Sequence, residues 1–149
     1  MEQGLERWFF VIHRCRHGFF REHFAGLDLE PRFLPFVLLV SGRDGVRQED
    51  LSTDTGLDKT TVAHAVKHLA QSGYVLRERN PADRRSYRLT LTPKGKNLVP
   101  RIRAAISTWH AGLLTGFTED ERRTLEEFLS RLAESAAALA GRSASSTRP

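Results

Sequence analysis

One cysteine, Cys15, in 149 residues leaves no material for an intrachain disulfide framework. Long apolar runs are also missing, and no stretch approaches the ~18 residues that a membrane span requires. The amino-terminal residues Met1-Glu2-Gln3-Gly4-Leu5-Glu6-Arg7 lack the basic-then-apolar pattern of a secretory signal. Together these absences place the expected protein in the cytoplasm, away from any membrane. Catalytic signatures are missing as well: there is no glycine-flanked nucleophile, phosphate loop or dinucleotide fingerprint. His13 and His17, and again His64 and His68, are four apart, a spacing that can hold a metal. Neither pair encloses the glutamate of a zinc protease, and no cysteine cluster accompanies them. The expectation is a protein that is not an enzyme, with no cofactor and no metal.

What is present is a basic chain with enough apolar material for a core. Hydrophobic residues make up 40%, and 23 basic against 18 acidic residues give a net charge of +5. The isoelectric point is about 10. Charge of that sign suits a nucleic acid, and its placement sharpens the point. Lys67, Arg77, Arg79, Arg84, Arg85, Arg88, Lys94 and Lys96 all fall in or beside one segment, residues 48–92.

That segment organises the chain. Residues 48–55 read as a helix, and Gly56-Leu57-Asp58 as a tight turn in which Gly56 takes a positive φ. Asp58 is placed to cap the next helix through its carboxylate. In that helix, 59–72, Val62, Ala65, Val66 and Leu69 share one side. Thr60, His64, Lys67 and Gln71 fall opposite, with Thr61 and His68 at the edges of the polar arc. The polar face has donors and cations but no acid, which suits the acceptor-rich major groove and its phosphates. Residues 74–79 and 87–91 then alternate as strands do. The intervening Asn80-Pro81-Ala82-Asp83-Arg84-Arg85-Ser86 reads as a long basic tip opened by an Asn-Pro turn. Helix, turn, helix and hairpin make a winged helix-turn-helix, and the tip arginines suit a narrow minor groove.

These residues resemble the winged helix-turn-helix of the MarR family of bacterial transcriptional regulators. The matching pieces are Leu57-Asp58-Lys59-Thr60-Thr61-Val62, Leu69-Ala70-Gln71-Ser72-Gly73-Tyr74-Val75, Asn80-Pro81-Ala82-Asp83-Arg84-Arg85 and Leu91-Thr92-Pro93-Lys94-Gly95. Ser52 stands where alanine is more usual in such motifs, and Asn80 where the family often has aspartate. The resemblance implies a mainly α fold with a small β-hairpin wing (α+β), and a homodimer whose terminal helices entwine. It also implies double-stranded DNA as partner, with a pseudo-palindromic operator, repression, and release by a small aromatic effector. By the same resemblance Asp83 orients a wing arginine through a salt bridge, while Lys59 and Ser52 reach the DNA backbone.

The flanks fit that plan. Residues 5–24 read as an aromatic-rich helix that needs covering by the carboxy-terminal helices or by a second chain. Residues 33–40 form a dense apolar helix beginning near Pro35, and Val46-Arg47 a short extended piece. Thr92-Pro93 starts a helix running to about residue 116 and interrupted by Pro100. Thr118-Glu119-Asp120-Glu121 is a capping box for the last helix. The expected organisation is a single domain over 1–140, with the winged unit at about 31–92, dimerisation helices at about 5–24 and 93–140, and a disordered tail at 141–149. Phe19, Phe20, Phe36 and Trp109 are candidates for an effector pocket, although a core uses the same residues.

Two rival readings stand beside this one. A winged module can bind protein instead of DNA, but such modules have apolar or acidic recognition helices. Cys15, between His13-Arg14 and Arg16-His17, sits among cations that favour a reactive thiolate, so a redox-sensing regulator is the second alternative.

Overall fold

The computed structural model describes residues 2–139 apart from Asp44, and gives side chains for residues 4–139 apart from Asp44 and Arg84. The expected tail at 141–149 lies outside the described residues. Among the described residues, six α-helices and three strands run in the order α1 (Glu2–His23), α2 (Leu34–Ser41), β1 (Val46–Arg47), α3 (Gln48–Thr55), α4 (Lys59–Gln71), β2 (Val75–Asn80), β3 (Asp83–Leu91), α5 (Pro93–Leu113) and α6 (Glu119–Leu139). A 3₁₀ turn at Pro31–Phe33 leads into α2. Pro35 therefore falls in the first turn of α2, where its missing N–H costs nothing.

Local signals fix the junctions. Gly56 ends α3 at φ 65°, a left-handed conformation that a side chain disfavours. Asp58 caps α4, its Oδ1 accepting the Thr61 N–H at 2.9 Å and its Oδ2 the Thr61 hydroxyl at 2.6 Å. Thr92 Oγ1 accepts the Gly95 N–H at 3.1 Å to start α5. Gly95 has to be glycine for a different reason: a Cβ there would collide with the carbonyl oxygen of Tyr74. The capping box at α6 forms as expected, with Glu121 Oε2 accepting the Thr118 N–H at 2.8 Å.

The strands make one antiparallel sheet in the order β1-β3-β2. Val46 pairs with Leu89, and Val75 with Leu91. Alternation turns Val46, Val75 and Leu89 inward onto Val37, Leu51, Val62, Val66 and Leu69, all buried. Ile102 and Ala105 of α5 close the same core, as do Phe20 and Phe24 from the end of α1. The winged unit thus seals itself with the second half of α1 and the first three turns of α5. The first half of α1 and all of α6 are left outside: Trp8, Phe10, Phe128 and Leu129 are more than half or about half exposed, and α6 buries no residue.

Candidate nucleic-acid interface

Helix α4 presents an exposed face free of acids. Val62, Ala65, Val66 and Leu69 go into the core. Lys59, Thr60, Ala63, His64, Lys67 and Gln71 stay exposed. Ala63 was not among the candidates, because its apolar type hid it; its angular position beside Lys67 on the polar face would have revealed it. A small methyl there leaves room for a base edge and matches the apolar C5-methyl of thymine.

Three expected contact residues sit differently from the simple wheel. The Thr61 hydroxyl is already donated to Asp58, so Thr61 acts first as part of the cap. His68 turns away from the polar face: its ring stacks on Phe33 with centroids 4.5 Å apart and planes at 26°. Its Nδ1 is buried without a hydrogen-bond partner among the described residues. The cause is the 3₁₀ turn before α2, which brings Phe33 against the flank of α4. Ser52 of α3 is half-buried rather than fully presented.

The wing is tighter than expected. The strands extend to Asn80 and Asp83, leaving Pro81-Ala82 as the turn in place of a loop across 80–86. Asn80 Oδ1 accepts the Ala82 N–H at 3.1 Å, and its Nδ2 donates to Ser86 Oγ at 3.1 Å. Asp83 Oδ1 accepts the Arg85 N–H at 3.0 Å. These bonds stiffen the tip and put the Arg84 and Arg85 backbones in strand β3. Arg85 is exposed, and the side chain of Arg84 lies outside the described residues.

Behind the interface, one polar cluster ties the frame together. The Tyr74 hydroxyl donates to Asp28 Oδ1 at 2.7 Å, and Lys94 Nζ donates to Asp28 Oδ2 at 3.0 Å and to the Ser72 carbonyl at 2.8 Å. The Tyr74 hydroxyl first, and Lys94 second, hold the Asp28 carboxyl below the usual carboxylate range. Burial, then the facing Asp28 carboxylate, pushes the Tyr74 phenol up to about 12.

Of the four candidate pocket aromatics, Phe36 is in the core and Phe19 packs on Trp109 at 5.3 Å between ring centroids. Only Phe20 lines the nearest sizeable cavity, about 380 Å³ between α1, the 3₁₀ turn, α2 and α5. Its other walls include His13, Arg16, His17 and Arg32 over Leu34 and Leu38. Among the described residues no group of three or more His, Cys, Asp or Glu could hold a metal ion. No helix of the described residues is long and apolar enough to cross a membrane.

Comparison with known proteins places this architecture. The MarR family model matches residues 37–87, which run from α2 to the wing. The regulator TtmR of Methylorubrum extorquens is 30% identical over 136 residues, 89% of this chain and 68% of that protein. The chain belongs to the MarR family. A MarR transcriptional regulator from Methanosarcina mazei superimposes with a TM-score of 0.80 at 30% identity, over 92% of this chain and 99% of that one. A MarR-family regulator from Listeria monocytogenes, solved with a 26-mer DNA, gives 0.80 at 28% identity over 89% and 88%. MarR-family relatives of this kind are transcriptional regulators, not enzymes.

Proposed function

We propose that this MarR-family regulator reads duplex DNA as a homodimer, represses from a pseudo-palindromic operator and is released by a small effector. The acid-free face of α4 carries the proposal. Lys59, Thr60, Ala63, His64, Lys67 and Gln71 offer donors, cations and one small methyl to base edges and phosphates. Arg84 and Arg85 of the wing supply the minor-groove contact, with Asp83 bracing the tip. The exposed apolar faces of α1 and α6 support the second copy, because unpartnered patches of this kind mark interfaces. A two-fold between copies would set two α4 helices about 34 Å apart, one turn of duplex.

The cavity beside α1 is the effector site in this reading. A basic rim of Arg16, Arg32, His13 and His17 above an apolar floor matches a small aromatic molecule carrying negative charge. Occupancy between α1 and α2 would bias the orientation of the winged unit relative to the terminal helices.

Selection of bound duplexes from a random pool tests the reading. The expected product is an inverted repeat with half-sites about 10 bp apart. Enrichment of no sequence would reduce the protein to a non-specific basic binder, and no binding at all would favour a protein-interaction module.

A further inference from the structure

We propose that Arg77 is a DNA-phosphate contact at the root of the wing, and that Tyr87 and Gln48 are the positioning residues that aim it. The inference rests on the DNA-reading function above and adds a site that the sequence patterns did not single out. Antiparallel pairing sets Tyr87 of β3 opposite Arg79 of β2, which puts Arg77 on its diagonal, on the same face of the sheet. The Arg77 guanidinium carbon lies 3.4 Å from the centroid of the Tyr87 ring, in stacking contact, and that of Arg79 lies at 5.7 Å. Arg77 Nε donates to Gln48 Oε1 at 2.9 Å, and Gln48 is the first residue of α3. The side chain therefore bridges the wing to the start of the helix-turn-helix.

The chemistry of the two holders is the informative part. Arg43 is tied to Asp54, and Arg47 to Asp50 at 3.0 Å, so each shares its charge with a carboxylate. Arg77 is held by an aromatic face and an amide oxygen, both neutral, and among the described residues no carboxylate forms an ion pair with it. Ring and amide restrict its rotamers without cancelling its charge. Gln48 uses the Nε donor, so the two terminal Nη groups keep their paired N–H donors, the fork that fits two phosphate oxygens. An exposed arginine loses much of its binding free energy to side-chain ordering, and this one is ordered before DNA arrives. Lysine cannot replace it, since an ammonium neither stacks in this way nor offers a fork.

The test is a double-mutant cycle on binding to the selected operator, followed across salt concentrations, using the full chain. Arg77→Ala should weaken binding about tenfold to a hundredfold, in line with a charge-assisted hydrogen bond, and reduce the salt slope by about one unit. Tyr87→Ala and Gln48→Ala should each weaken binding about threefold to tenfold in wild type and have no effect in the Arg77→Ala background. Tyr87→Phe should bind as wild type, because it keeps the ring, and guards against reading a folding defect as a contact. Arg77→Lys should keep most of the salt slope and lose affinity. Wild-type binding by Arg77→Ala, or an equal effect of Tyr87→Ala with and without Arg77, would overturn the inference while leaving the DNA reading intact. Failure of wild type to bind any duplex would instead remove that reading, and this inference with it.

Discussion

Asp28, Tyr74 and Lys94 join three places far apart in the chain: the loop after α1, the turn between α4 and β2, and the start of α5. Their protonation states set limits on stability at both ends of the pH range. The depressed Asp28 carboxyl contributes stability that is present above pH ~4 and lost as pH falls through its lowered value. The raised Tyr74 phenol contributes stability that is complete below pH ~10 and lost as pH rises through about 12. In a Tyr87→Phe variant, which leaves Tyr74 as the single tyrosine, tyrosinate absorbance should rise around pH 12; a midpoint near 10 would break the proposed hydrogen bond. Gly95→Ala drives a Cβ against the Tyr74 carbonyl and should cost about 1–3 kcal/mol, visible as a melting temperature lower by several degrees. On the DNA side, Lys67→Ala should weaken binding to all sequences and reduce the salt slope by about one unit in a titration across salt concentrations. Arg84→Ala should lose most affinity at sites with A·T-rich flanks, and if it, Arg85→Ala and the double variant all bind as wild type, the wing has another role.

Helix α4 depends on its first turn. The Thr61 hydroxyl and N–H hold Asp58 below the usual carboxylate range, so the cap is at full strength above pH ~4 and weakens on acidification. Asp58→Ala should lower the melting point by about 2–4 °C, and Asp58→Asn, which still caps, should recover most of that at neutral pH. Junctions of this kind were legible in the sequence because a cap is written within four residues: Asp58 with Thr61, Thr92 with Gly95, Thr118 with Glu121. The helix wheel likewise separated the buried face of α4 from the exposed one. What it could not supply was the third dimension at the flank. His68 has the angle of a groove-edge residue, but its stacking partner Phe33 lies 35 positions earlier and reaches it only after the 3₁₀ turn forms. The extent of the wing strands escapes the sequence pattern for a similar reason. Arg84-Arg85-Ser86 carries no apolar alternation, yet the strand continues because Ser86 is buried and bonded to Asn80 across the turn. The cavity was illegible too, since its walls come from α1, the 3₁₀ turn, α2 and α5.

Across the whole molecule, two kinds of apolar surface separate cleanly. The winged unit hides its own apart from Leu76 on β2, whereas α6 shows Phe128, Leu129 and Leu132 to solvent along one stripe and α1 shows Trp8, Phe9 and Ile12. If these stripes meet in a second chain, sedimentation should give a particle of twice 16.9 kDa at micromolar concentration. Leu129→Glu should shift it toward one copy, and a wild-type particle that stays single at high concentration would end the homodimer proposal. The geometry of α5 then matters in a mechanical sense. Its 21 residues make a rod of about 30 Å, buried in the winged unit from Gly95 to Ala105, with Ile106 and Trp109 packed against the rim of the same core. A rod of that length converts angle into displacement: a tilt of about 7° carries its far end about 3.5 Å, the height of one base-pair step. Two such rods crossing at a two-fold would behave as calipers, whose jaw opening is set by side-chain packing at the pivot and read out as the spacing of bases that both jaws can grip together.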